Sequence, residues 1–287
     1  MLPLFRSLRP VQWVKNFVVF AGLIFSRHFD RPDDILRSIG VFGVFCALAS
    51  AIYLFNDIRD RESDRSHPQK KTRPIASGEL SIGLAAGTSV FLFALGLTAA
   101  CLLGLNVFIT VSIYVLLNLA YSMGLKRVAL VDVMIVALGF VLRAVAGAEV
   151  IDVEISPWLV VCTLLLALFL GFGKRRWELV ALGGEATSHR AALAGYTTIL
   201  LDQLIAVTTA STVVAYALYT LAPETQTKFG TDQLIWTLPF VLFGVFRYLW
   251  LIHGAKQGGN PTSALLRDWP IVATAVLWLG TVLWIIS

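Results

Sequence analysis

Residues 55–74 read FNDIRDRESDRSHPQKKTRP. The run holds four acids and six bases, and it emerges from an apolar segment that ends in Tyr53-Leu54-Phe55. Ionised groups are costly inside hydrocarbon and are rarely placed there without a role. Such a cluster therefore marks both an end of a membrane span and a place where chemistry is to be sought.

Working outward, the chain of 287 residues is 57% hydrophobic and 14% charged, with a mean hydropathy of +0.77. Soluble domains carry about 25% charged residues, so the composition predicts a polytopic membrane protein. The formal net charge is +5, but the bases sit in loops between apolar spans. They read as topology signals and anion contacts, and no nucleic-acid partner is expected. Cys46, Cys101 and Cys162 all fall inside apolar runs, which argues against a disulfide framework. The basic N-terminus and the apolar run Phe17 to Phe25 imitate a signal peptide. No small-residue cleavage site follows, so the run is read as the first span.

A span needs about 20 mostly apolar residues. Nine candidates meet or approach that length: 12–26, 36–56, 80–103, 105–123, 128–148, 156–174, 202–222, 234–252 and 269–286. The predicted fold is an all-α bundle of nine transmembrane helices in one domain over residues 1–287. The first candidate is short, and Pro10, Trp13 and Lys15 place an interfacial turn at its entry.

Basic residues set the orientation. With the N-terminus in the cytoplasm, the inner segments carry Arg6, Arg9 and Lys15, then Arg59, Arg61, Arg65, Lys70, Lys71 and Arg73. Further inner bases are Lys126, Arg127, Lys174, Arg175, Arg176, Arg190, Lys256 and Arg267; the outer segments hold only Arg27, Arg31, Arg37 and Lys228. Spans two, four and six run into the cytoplasm through FNDIRD, NLAYSMGLKR and GFGKRRWEL. Three polar helix ends on one face predict one cytoplasm-facing site.

Asp57, Asp60 and Asp64 are spaced i, i+3, i+7, which on a helix places them within about 60° of one another. Asn56 lies at the edge of that arc, and Glu62 points nearly opposite. Three aligned carboxylates repel one another unless a cation sits among them. Mg2+ prefers carboxylate oxygens and commonly uses one or two of them together with substrate phosphates. A helix C-terminus also favours a cation. The bland alternative is a solvated helix end with Glu62 paired to Arg61 and Arg65, but the acids begin directly after YLF, at membrane depth. Lys70, Lys71 and Arg73 follow and suit a diphosphate.

At these residues the chain resembles the UbiA superfamily of intramembrane prenyltransferases. Asn56-Asp57-x-x-Asp60-x-x-x-Asp64 is similar to the first Asp-rich motif of that superfamily, and Arg73-Pro-Ile-x-x-Gly78 to its continuation. Tyr121-Ser-x-x-Leu-Lys126-Arg127 resembles a second signature, whose Lys contacts diphosphate in family members. The aromatic prenyltransferases of the superfamily carry a second Asp-rich motif between spans six and seven. Here that position reads Gly173-Lys174-Arg175-Arg176-Trp177-Glu178-Leu179, three bases and one acid. Arg binds phosphate as a bidentate fork, so the exchange implies a more anionic substrate pair.

One branch matches that logic, the decaprenyl-phosphate phosphoribosyltransferases. The segment Leu8-Arg9-Pro10-x-Gln12-Trp13-x-Lys15-Asn16, the run from Asp132 through Arg143 to Gly147, and the Lys-Arg-x-x-Glu loop all resemble it. The resemblance implies phosphoribosyl pyrophosphate as donor, a polyprenyl phosphate lipid as acceptor, Mg2+ as cofactor and a bacterial plasma membrane as location. The product would feed cell-wall arabinan.

On that reading Asp57, Asp60 and Asp64 hold the metal, and Lys126 stabilises the departing diphosphate. Lys15, Asn56, Arg61, Lys70, Arg73, Tyr121, Arg143, Lys174, Arg175 and Glu178 are candidate substrate contacts. Asp132 and Arg143, eleven residues apart, are separated by about 16 Å along a helix, so Arg143 needs another partner. His67 is read as a polar loop residue, because an anionic acceptor phosphate needs no general base. Two rivals remain at this point. An aromatic prenyltransferase would want a second acidic cluster, and an anionic-lipid transporter would want charges spread across several midplanes.

Overall fold

The computed structural model describes residues 3–66, 70–182, 191–254 and 267–287. His67, Arg190 and Lys256, all used above, lie outside the described residues. Among those described the secondary structure is helical, with no strand. That is what lipid demands, since each peptide group must be satisfied within its own segment.

Eight helices among the described residues are long and apolar enough to cross a membrane. In chain order they are α1 (Pro32–Arg59), α2 (Ile82–Leu103), α3 (Leu105–Met123), α4 (Val131–Glu149), α5 (Pro157–Leu182), α6 (Thr198–Leu221), α7 (Leu238–Gly254) and α8 (Trp269–Ile286). The ninth expected span, 12–26, is instead a 3-10 helix over Pro10–Phe20 that continues as a short α-helix over Ala21–Phe25. A 3-10 helix rises about 2.0 Å per residue against 1.5 Å for an α-helix. The segment therefore extends about 30 Å, the thickness of the hydrocarbon core.

The helices gather into two compact units. The first comprises residues Met1–Lys126 and Gly139–Ile155, the second Arg127–Leu138 and Ser156–Ser287. In the first unit α1 is the most deeply buried of the eight helices. Val41, Val44, Phe45, Leu48 and Ile52 form its inner stripe and pack with Val19, Leu23, Val107, Val111 and Tyr114. Their i, i+3, i+4, i+7 spacing is one face of an α-helix. The N-terminal segment lies directly on α4: a Cβ at Gly147 would fall 1.9 Å from the Val19 carbonyl oxygen. Only glycine allows that approach.

The second unit has its own core, where Phe169 and Phe172 of α5 meet Leu201 and Ile205 of α6 and Val245, Tyr248 and Leu251 of α7. The rings of Phe169 and Tyr248 pack edge to face at 5.2 Å.

Candidate active site

The acidic run occupies the end of α1. The helix stops at Arg59, Asp60 forms its cap, and a short helix, Arg61–Ser66, restarts at once. Helical bonding carries across the break, with Asp60 N to Asn56 O at 2.8 Å and Asp64 N to Asp60 O at 2.8 Å. The i, i+3, i+7 relationship therefore survives. Asp57 and Asp64 are buried, at 3% and 2% exposure.

Each aspartate meets a cation. Arg73 precedes a helical turn over Pro74–Ser77, and its Nη1 lies 3.0 Å from Asp57 Oδ1 and 2.6 Å from Asp64 Oδ2. Lys126 Nζ, just beyond α3, lies 2.7 and 2.6 Å from the two oxygens of Asp60. Arg9 donates from Nη2 to the same Asp57 oxygen at 2.5 Å. Three acids and three bases thus close into one cluster at the end of α1. Burial pushes the Asp64 carboxyl above the usual carboxylate range, with Arg73 pulling the other way. Arg9 is a residue that sequence reasoning used only for topology and resemblance. Its one local signal was its place in the Leu8-Arg9-Pro10 signature, because nothing in the chain announces a contact 48 residues away.

Other candidates belong to this unit. Asn56 Oδ1 is buried and has no hydrogen-bond partner among the described residues. Arg61 donates to the Ile75 carbonyl at 3.4 Å and approaches Glu62 at 3.5 Å, so it braces the turn that carries Arg73. The Lys70 carbonyl accepts from Arg73 N at 2.9 Å. Tyr121, in the last turn of α3, and Lys15, in the 3-10 segment, are half-buried.

Arg143 is held elsewhere. It donates from Nε to Asn16 Oδ1 at 2.7 Å, from Nη1 to the Gly139 carbonyl at 2.6 Å and from Nη2 to the Tyr114 hydroxyl at 2.9 Å. The Tyr114 ring lies 4.7 Å from the guanidinium carbon. The expectation of a partner other than Asp132 holds, and these partners are neutral. They tie α4 to α3 and to the N-terminal segment.

In the second unit Arg175 is 3% exposed. Its Nε lies 2.7 Å from Asp132 Oδ2 and its Nη1 2.5 Å from Glu178 Oε2. Asp132 is fully buried and also accepts from the Tyr196 hydroxyl at 2.8 Å. That hydroxyl in turn accepts from the Leu130 amide at 2.6 Å. Burial drives the Tyr196 phenol well above its usual range, which keeps it a proton donor. Lys174, 3.8 Å from Glu178 and 35% exposed, is the more accessible base of the pair. Arg176 pairs with Asp202 and reaches the Ile252 carbonyl at 3.1 Å. Arg175 is thus an internal tie, and Lys174 and Glu178 carry the accessible charge.

For a metal, the donors are oxygen only, which suits Mg2+. Among the described residues no three His, Cys, Asp or Glu side chains close around one point, because Arg73 and Lys126 stand among the carboxylates. Mg2+ needs only one or two protein carboxylates when phosphates complete its shell. The orphaned Asn56 oxygen is a further acceptor beside them, and the set fits the ion.

Apolar spans around a compact acid–base cluster at the helix ends define a membrane protein with a polar, phosphate-compatible site. The chain belongs to the UbiA prenyltransferase family, whose profile matches residues 16–175. It is 32% identical to the decaprenyl-phosphate phosphoribosyltransferase of Mycolicibacterium smegmatis, over 97% of this chain and 91% of that protein. It is 34% identical to the Corynebacterium glutamicum protein of the same name, over 96% of this chain and 83% of the relative. In fold it is similar to a UbiA homolog from Archaeoglobus fulgidus bound to GPP and Mg2+, with a TM-score of 0.74, 20% identity and 99% coverage of both chains.

Proposed function

We propose that this protein transfers the 5-phosphoribosyl group from phosphoribosyl pyrophosphate to a polyprenyl phosphate, decaprenyl phosphate in the first instance, and releases pyrophosphate. The observation that carries the reading is identity above 30% over nearly the whole chain with two proteins of that name. The sequence after Gly173 adds to it, since Lys174-Arg175-Arg176 stands where the aromatic prenyltransferases have acids.

The donor's C1–diphosphate bond breaks with negative charge gathering on the leaving oxygens and positive charge on the ribose. Bound Mg2+, held by one or two carboxylates drawn from Asp57, Asp60 and Asp64, would neutralise the diphosphate as a Lewis acid. Lys126 and Arg73, already aligned on those carboxylates, add fixed positive charge where the leaving group's charge develops. Asn56 offers its buried oxygen to the same region, and Lys70 and Tyr121 are further candidate contacts. The acceptor phosphate is anionic near neutral pH and attacks without a general base. Lys15 in the first unit, and separately Lys174 and Glu178 in the second, are candidate contacts for a substrate phosphate. We place the cluster on the cytoplasmic side of the plasma membrane from the distribution of bases.

The test is pyrophosphate release by the purified protein in detergent with Mg2+, phosphoribosyl pyrophosphate and decaprenyl phosphate. A parallel reaction holds decaprenyl diphosphate and 4-hydroxybenzoate. Release in the first alone, abolished by chelation and by Asp57→Ala, is expected. Release in the second alone would make the protein an aromatic prenyltransferase.

A further inference from the structure

Residues 8–13 are fastened along one face of α1. The Ser50 hydroxyl lies 3.0 Å from the Leu8 carbonyl oxygen, and Ser50 Oγ accepts from Trp13 Nε1 at 3.0 Å. The Arg9 guanidinium stacks over Tyr53, 4.8 Å from the ring centroid, and bonds Asp57. Ser50, Tyr53 and Asp57 are spaced i, i+3, i+7, so a single stripe of α1 receives all these contacts.

The backbone gives way for this. Arg9 adopts φ 54° and ψ 59°, the left-handed region. A residue with a Cβ is uncommon there, and such strain persists only where surroundings impose it. Leu8 and Pro10 flank the turn, and the imposed conformation aims Arg9 at Tyr53 and Asp57.

Two guanidiniums therefore converge on one oxygen of a buried carboxylate, Arg9 at 2.5 Å and Arg73 at 3.0 Å. With Asp64 the four charges balance. Take Arg9 away and, among the described residues, Asp57 keeps Arg73 as its one ion-pair partner, which must then divide its charge between two buried acids. Groups that hydrogen-bond a ligating carboxylate fix its orientation, and their loss commonly costs about 10–100-fold in metal affinity.

We propose that Arg9 is a positioning residue of the donor site, acting through Asp57: it fixes the carboxylate and leaves Arg73 free to serve Asp64 and the phosphates. The inference rests on the reading that the aspartate cluster binds a magnesium-associated diphosphate.

The test is a double-mutant cycle of Arg9→Ala and Asp57→Asn, read by binding of inorganic pyrophosphate with Mg2+ as a thermal shift titration. Steady-state kcat and KM for the donor are measured alongside. Arg9→Ala is expected to weaken magnesium–pyrophosphate binding about tenfold, and the double variant to bind no more weakly than Asp57→Asn alone. Arg9→Lys, which keeps charge but not the planar fork, should recover part of the loss, and it serves if the alanine variant does not fold. Losses that multiply would mean that Arg9 touches the ligand itself, and unchanged affinity would mean that it only braces the fold. Either result overturns the proposal, as does a wild type that binds no magnesium–pyrophosphate. A wild type that binds it but does not use phosphoribosyl pyrophosphate overturns the proposed reaction alone, because the cycle can still be read.

Discussion

Lys126 sets its ammonium 2.7 and 2.6 Å from the two oxygens of Asp60, bridging 66 residues of chain. The pair fixes the turn after α3 to the end of α1, aided by Arg59, which donates to the Met123 carbonyl at 3.0 Å. Both partners keep part of their surface open, at 23% and 34%. This is the one acid–base pair of the cluster that a ligand reaches without dismantling a buried contact.

Lys126→Met should therefore lower kcat for pyrophosphate release by about 100-fold or more, the usual loss when one preorganised electrostatic stabiliser is removed. The thermal midpoint in detergent should change little. A variant with near-normal kcat and a lowered midpoint would reassign Lys126 to structure.

Arg175 and Lys174 are neighbours in sequence with opposite expectations. Arg175→Ala strands the fully buried Asp132 and should destabilise by about 3–5 kcal/mol, seen as lost folded protein. Lys174→Ala should leave folding intact and raise the KM of a phosphorylated substrate. Measuring yield, midpoint and KM for both variants separates the two roles, and the reverse pattern would refute them.

Gly147→Ala pushes a methyl group to 1.9 Å from the Val19 carbonyl oxygen. Backbone cannot swing aside as a side chain does, so the cost should be about 3 kcal/mol. A midpoint within a degree of wild type would show that the N-terminal segment is not seated against α4.

Asp268 caps α8 by accepting from the Ile271 amide at 3.1 Å, and it pairs with Arg247 at 2.9 Å. The Arg247 hydrogen bond holds its carboxyl below the usual range. A depressed acid stabilises above its unfolded pKa and loses that contribution as pH falls through the native value. Asp268→Asn keeps a cap but loses the charge, and should lower the neutral-pH midpoint by about 2 °C. The difference should begin to shrink at about pH 4, the unfolded value, and vanish only once pH has fallen through the depressed native value. A gap that persists in acid would tie it to the cap alone.

Much of this was legible in one dimension. Long apolar runs announce α1 to α8, because hydropathy needs no knowledge of partners. Asp57, Asp60 and Asp64 could be grouped because helical period alone sets them on one face. The partners could not be read. Arg73 bridging Asp57 and Asp64, or Arg9 meeting Asp57, depends on how a loop folds back, and charge count does not encode that. Arg175 shows the same limit: its bond to Asp132 joins residues 43 apart in sequence, and a base after a span looks alike whether it faces water or an acid. The 3-10 form of the short first segment is not legible either, because hydropathy does not distinguish a 3-10 from an α-helix.

That 3-10 segment has a consequence of its own. With three residues per turn, side chains at i and i+3 eclipse. Trp13 meets Ser50, Asn16 meets Arg143 and Val19 meets Gly147, each three residues after the last. An α-helix would drift off this line by about 60° at every such step. Adding or deleting one residue between Trp13 and Val19 turns everything beyond it by about 120°. The N-terminus is therefore keyed to its neighbours in a single register, like the teeth of a rack, and the key aligns the arm that delivers Arg9.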